Sequence, residues 1–266
     1  MRSPAAAFDL RAALTEELQA AVEELEASPS QPKAVHRCRV RVKRARALAR
    51  IGHAAAPGLS GVFNDTARGV MRTLAQGRDL AALAEAARAF AKKEGKKTAA
   101  ALTAVADALE DERLRAPGLN MEGARAGLKD LLALALVWPE ASPRQIRRGA
   151  DRIARRARRA RRRGFNAKAA APRHEWRKRE KDRYFAALLL SEAWPRARRR
   201  KLGEKLGDVL GHERDARLLL DRIVAEPDLA GEGKAPARAL KALAARCRKF
   251  SDKADALGQK LHASRA

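Results

Sequence analysis

The segment His36-Arg37-Cys38-Arg39-Val40-Arg41-Val42-Lys43 spaces an imidazole, a guanidinium and an ammonium as His-x-x-Arg-x-x-x-Lys. The segment His174-Glu175-Trp176-Arg177-Lys178-Arg179-Glu180-Lys181 has the same spacing 138 residues later. At roughly 100° per residue of helix, His36, Arg39, Lys43, Arg46 and Arg50 fall within about 80° of circumference. Val35, Cys38, Val42, Ala45 and Ala49 form the neighbouring apolar stripe. The result is a row of cations about 21 Å long beside a packing face. His174, Arg177, Lys178 and Lys181 share a face in the same way. The chemistry of such rows is anion binding. Arg offers a planar fork to two phosphate oxygens, Lys a compact charge, and His a donor that strengthens on protonation. Pro32 and Pro172 are well placed to open the two helices, which puts His174 in a first turn where free backbone N–H groups also favour anions.

A third basic element is the segment 144–163, with 11 Arg in 20 residues. Ile146, Ala150, Ile153, Ala157 and Ala160 line one side, so the segment reads as an amphipathic helix. Its other side is a solvated charged face or a polyanion contact. A solvated face would normally mix signs, and this one is almost pure Arg. Arg148, Arg152, Arg155 and Arg159 are its candidate binding residues.

Other chemistries find less support. Gly95-Lys96-Lys97-Thr98 lacks the leading Gly of a P-loop. Arg173-His174-Glu175 is superficially like the Arg-His-Gly start of histidine phosphatases, but no strand precedes it and no Gly follows. There is no Glu-x-Glu-x-Lys motif, and no carboxylate cluster offers Mg²⁺ sites. The chain is therefore expected to be a binder without catalytic activity and without a cofactor or metal. His36 and Cys38 diverge by about 200° on a helix, which argues against a shared metal and for Cys38 as a buried thiol. His53, His212 and His262 read as loop or surface residues with no assigned role. Trp138, Trp176 and Trp194 read as core anchors. Asp79 and Asp215, each in an Arg-Asp pair, either orient binding arginines or serve as helix caps and structural ion partners.

The elements that must position these residues are helices. The chain has 266 residues, of which 46% are hydrophobic and only 4% aromatic. Ala, Leu, Arg, Glu and Lys dominate, and period-two strand patterns are absent. Pro and Gly punctuation predicts helices over 6–27, 33–51, 60–75, 78–93, 97–113, 121–137, 143–163, 173–193, 196–210, 213–225 and 236–262. The break at Pro139–Pro143 predicts two bundles, 1–140 and 141–266. The formal net charge of +26 divides unevenly between them, with 22 basic and 17 acidic residues in the first and 36 and 15 in the second. The motif offset of 138 and the Arg78-Asp79 to Arg214-Asp215 offset of 136 suggest an internal duplication. Two cysteines make no disulfide framework, which points to a reducing compartment, and no apolar run approaches membrane-spanning length. The expectation is a soluble cytoplasmic protein that meets a polyanion and no membrane.

With His36-x-x-Arg39-Val40-x-x-Lys43-Arg44-x-Arg46, His174-Glu175-Trp176-Arg177-Lys178-Arg179-x-Lys181-Asp182 and Leu210-Gly211-His212-Glu213-Arg214-Asp215 in view, the chain resembles the CHAD family, the conserved histidine α-helical domain. The resemblance covers essentially the whole chain. It implies an all-α fold of two pseudo-symmetric antiparallel helical bundles with a basic groove or pore between them. It also implies binding of inorganic polyphosphate and association with polyphosphate granules in bacterial cells. Arg44 joins the candidates through this pattern, although it lies about 80° from His36 on the helix. The acidic helix 6–27 leads us to expect that the second-half helices and 33–51 dominate binding. Nonspecific contact with the backbone of a nucleic-acid duplex is the alternative. Ten aromatic residues, not interleaved with the arginine rows, offer little for base stacking.

Overall fold

The computed structural model describes residues 8–27, 31–75, 78–195 and 199–263, with the side chain of Arg78 outside the description. Among the described residues there are ten α-helices and no strand. The helices are α1 (Leu10–Ala27), α2 (Pro32–Ile51), α3 (Pro57–Thr73), α4 (Arg78–Ala91), α5 (Lys96–Arg115), α6 (Met121–Leu136), α7 (Pro143–Gly164), α8 (Ala170–Leu190), α9 (Arg200–Ala225) and α10 (Ala235–His262). Short 3-10 turns stand at Gly52–Ala54, Ser191–Ala193 and Pro227–Ala230. The all-α expectation holds, with one helix fewer than the punctuation predicts.

The missing boundary is the one at Gly211. Helix α9 runs through it, so Arg214-Asp215 opens no helix and Asp215 caps none. A lone helical Gly costs only about 1 kcal/mol, and the buried stripe Leu206, Val209, Leu210, Glu213, Ala216, Leu219 continues unbroken across it. The predicted start at 196 lies outside the described residues. Helix α8 begins at Ala170, earlier than expected, so the backbone of His174 is already inside the intrahelical bonding pattern. The expectation that His174 presents free first-turn N–H groups is thereby corrected.

The chain forms two compact units, and they do not follow the division at 140/141. Unit 1 comprises Met1–Ala75, Leu119–Arg159 and Lys178–Arg200; unit 2 comprises Gln76–Gly118, Ala160–Arg177 and Lys201–Ala266. The cores explain this interleaving. In unit 1, Leu14, Leu18, Val42, Leu48, Phe63, Leu128 and Trp138 pack with Ile146 and Ile153 of α7 and with Leu190 and Trp194. In unit 2, Phe90, Leu102, Val105 and Leu109 of α4 and α5 pack with Leu219, Ile223, Leu243 and Cys247 of α9 and α10. A second unit 2 cluster joins Trp176, Leu206, Leu210, Leu257 and Leu261. Apolar faces of early helices are thus covered by late ones, and each of α7 and α8 contributes residues to both units.

All five apolar-stripe residues of α2, Val35, Cys38, Val42, Ala45 and Ala49, are buried to within 1%. The Arg-rich α7 behaves likewise: Ile146, Ala150, Ile153, Ala157 and Ala160 are buried while eight of its arginines, including Arg148, Arg155 and Arg159, are exposed. Trp138, Trp176 and Trp194 are buried core residues. Burial pushes the Cys38 thiol up to about 12, and it also raises that of Cys247, so both are inert at neutral pH.

Candidate anion-binding site

In unit 1 the cation row of α2 changes character along its length. His36 is exposed and Lys43 half-buried. Arg39 leaves the open row: its residue is only 7% exposed and its guanidinium donates to the Met71 carbonyl of α3 at 2.7 Å. Arg44 turns toward α1, where it shares Glu17 with Arg41 at 3.3 and 3.2 Å. These two placements correct the picture of a continuous accessible row. The apolar stripe fixes the rotation of α2, and that rotation turns Arg39 inward toward α3 and Arg44 toward α1.

At the C-terminal half of α2 the cations converge. Arg50 donates to Asp182 of α8 at 2.5 Å, and Arg179 reaches the other oxygen of the same carboxylate at 3.3 Å. Arg46 lies beside this pair. Burial, and then the neighbouring Arg50, Arg68 and Arg179, hold its guanidinium down to about 10 against the lift from Asp182. Its Nε is buried with no hydrogen-bond partner. Burial also lowers Arg50, with Arg179 and Arg68 opposing the lift from Asp182. Arg156 of α7 is lowered by burial and by Arg152, Arg179 and Arg50. Five guanidinium groups therefore act on one another around Asp182, while at the rim Arg68 also pairs with Asp65. Like charges held this close and partly desolvated repel, and an added anion relieves that repulsion.

Sequence reasoning singled out Arg46 and Arg50 but missed Arg68, Arg156 and Arg179 as members of the cluster. Arg179 stands inside the second motif and Arg156 inside the Arg-rich helix, so both were in view. For Arg68 the available signal was the short α2–α3 connection, which makes those helices neighbours. On α7, Arg148, Arg152 and Arg155 line one cavity with His53, and Arg159 is exposed.

The second motif begins in unit 2 and runs along α8 into the unit 1 residues from Lys178 on; its unit 2 end is held by the first turns of the helix. Arg173 is buried and forms a fork with both oxygens of Glu213 at 2.8 and 2.7 Å. It also donates to Asp255 at 2.5 Å and to the Gly164 carbonyl at 2.8 Å. Burial would push this guanidinium down, but the hydrogen bonds and charges of Glu213 and Asp255 outweigh it and hold it above its ordinary range. The group stacks 5.0 Å over Trp176. A Cβ on Gly258 would stand 2.5 Å from that indole, so α10 packs directly on it. Arg173, Trp176, Glu180 and Arg183 form the buried stripe of α8. His174, Arg177, Lys178 and Lys181 occupy the adjoining face as half-buried or exposed residues. Asp215 stands close to Arg177: burial raises its carboxyl, and Arg214, Arg177 and His212 pull against that rise. It thus acts as an ion partner within α9. Asp79 is exposed at the start of α4.

A family model described as CHAD domain matches residues 11–224. Among solved structures, the crystal structure of the CHAD domain from the plant Ricinus communis shares the fold, with a TM-score of 0.65 at 20% identity over 100% of this chain and 97% of that one. No curated protein matches the chain.

Proposed function

Since the chain belongs to the CHAD domain family, we propose that it binds inorganic polyphosphate, without turning it over, through the cationic side chains of α2, α7 and α8. This binding associates the protein with polyphosphate granules. The observation that carries the reading is the arginine cluster around Asp182, where Arg50 and Arg179 share one carboxylate and Arg46 and Arg156 crowd beside them, so that the cations outnumber the counter-ion that holds them. Polyphosphate is a flexible line of charge with no bases and no apolar parts. A binder for it needs cationic donors on firm helices and no stacking platform. The three Trp residues are buried in the core, which leaves the exposed faces of α7 to guanidinium groups. Much of the binding free energy comes from release of counterions from the polymer, so affinity falls steeply with salt. Among the described residues no helix is long and apolar enough to cross a membrane.

The test uses exposed positions, because charge reversal at buried Arg39 would disturb the fold. The double variant Arg159→Glu with Lys178→Glu keeps the wild-type far-UV circular dichroism and binds polyphosphate about tenfold or more weakly at ~0.15 M salt. Unchanged affinity in the folded variant would overturn the reading.

A further inference from the structure

His53 stands in the 3-10 turn Gly52–Ala54 that follows α2, outside both histidine motifs. Two glycines allow close packing around that turn. A Cβ on Gly52 would meet Leu10 at 2.6 Å and the Trp138 indole at 2.7 Å. A Cβ on Gly149 would stand 2.1 Å from the Ile51 carbonyl oxygen. Only a glycine lets the backbone of α7 lie this close to the end of α2. The close approach carries Arg148, the residue beside Gly149, and Arg152 and Arg155, one and two turns on, to His53. Together with Ala54 they line a cavity of ≈ 250 Å³, larger than a single phosphate group. Among the described residues, three guanidinium groups and one imidazole line it and no carboxylate does.

We propose that this cavity is a phosphate subsite in which His53, Arg148, Arg152 and Arg155 grip the oxygens of one stretch of polyphosphate. The inference rests on the reading that the chain binds polyphosphate, and it names a residue and a proton step that the reading does not contain. The imidazole is the one member of the set that changes charge near neutral pH. In the free protein, burial and the charges of Arg152 and Arg156 favour its neutral form. The charged groups around it are Arg148, Arg152, Arg155 and Arg156 on α7. Arg50 of α2 and Arg179 and Asp182 of α8 act one step further out, on Arg156. An entering phosphate reverses the balance. It favours imidazolium, which donates to a phosphate oxygen, and the proton comes from solvent. Binding at this subsite therefore takes up protons, and affinity rises as pH falls through the histidine range.

The experiment compares wild type with His53→Gln, which keeps side-chain bulk and a hydrogen-bond donor but cannot take a proton. The probe is long-chain polyphosphate, whose internal units stay ionised throughout, at pH 6 and pH 8 and constant ionic strength. Wild type is expected to gain about 3- to 10-fold more affinity than the variant on going to pH 6, the equivalent of one-half to one pKa unit. His36 and His174 are present in both proteins, so the difference belongs to His53. A second readout needs no variant: the His53 ring resonance of wild type titrates at higher pH when polyphosphate is bound. Equal pH dependence in the two proteins, or a His53 resonance that titrates unchanged while polyphosphate is bound, overturns the subsite and leaves the general reading standing. Wild type that fails to bind polyphosphate at all overturns both.

Discussion

Asp182 decides how the cationic cluster behaves without ligand. Its carboxylate accepts from Arg50 and Arg179 and lifts Arg46 and Arg156 against their neighbours, so it serves as a built-in counter-ion. On the proposed function, phosphate would compete with it for the same guanidinium groups. In Asp182→Asn the cluster loses that counter-ion while keeping the side-chain volume. The variant is expected to lose about 1–3 kcal/mol of stability in chloride, since a partly buried charge-assisted pair is broken. It is also expected to bind polyphosphate more tightly than wild type and to gain more thermal stability from it. Thermal melts with and without polyphosphate check this, and weaker binding by the variant would contradict the counter-ion role. The cation spacing and the apolar stripe of α2 were legible in the sequence, because a 3.6-residue period reports which residues share a face. The partners were not legible. Asp182 lies 132 residues from Arg50, and Glu213 lies 40 from Arg173. His53 sits in an aperiodic turn, where spacing carries no signal at all.

Among elements, glycine shows where local signals run out. Gly149 and Gly211 look alike in the sequence, each an isolated Gly in an Arg- or Leu-rich helix. Their surroundings are opposite. A Cβ at Gly149 meets the backbone of α2, whereas at Gly211 it meets nothing within 4 Å. Gly211→Ala should therefore stabilise the fold by about 0.5–1 kcal/mol through helix propensity and unfolded-state entropy. Gly149→Ala should cost about 1–3 kcal/mol or more, because backbone must move to admit the methyl group. Urea denaturation of the two variants measures both. Equal effects would contradict the close α7–α2 approach on which the His53 cavity depends. The same reasoning explains the overpredicted helix boundary: punctuation marks residues that permit a break, and the continuous buried stripe of α9 overrides the permission. Helix identity was otherwise readable throughout, from composition and Pro placement. Which helices share a core was not readable, since the apolar faces of α4 and α5 are covered by α9 and α10 from the far end of the chain.

For the molecule as a whole, the net charge of +26 suits a polyanionic partner, and the proposed function names inorganic polyphosphate as that partner. Among the described residues the rows of cations stand on helices whose apolar faces are well packed, so they are presented on firm supports. Buried tryptophans and a cluster of guanidinium groups suit a polymer of phosphate alone better than one that carries bases. The most direct measurement is displacement of labelled long-chain polyphosphate from the protein at ~0.15 M salt by unlabelled polyphosphate, duplex DNA, RNA or ATP, compared per unit charge. The account predicts that polyphosphate displaces the label at concentrations about tenfold or more below those of DNA and RNA. Equal displacement by DNA per unit charge would contradict it.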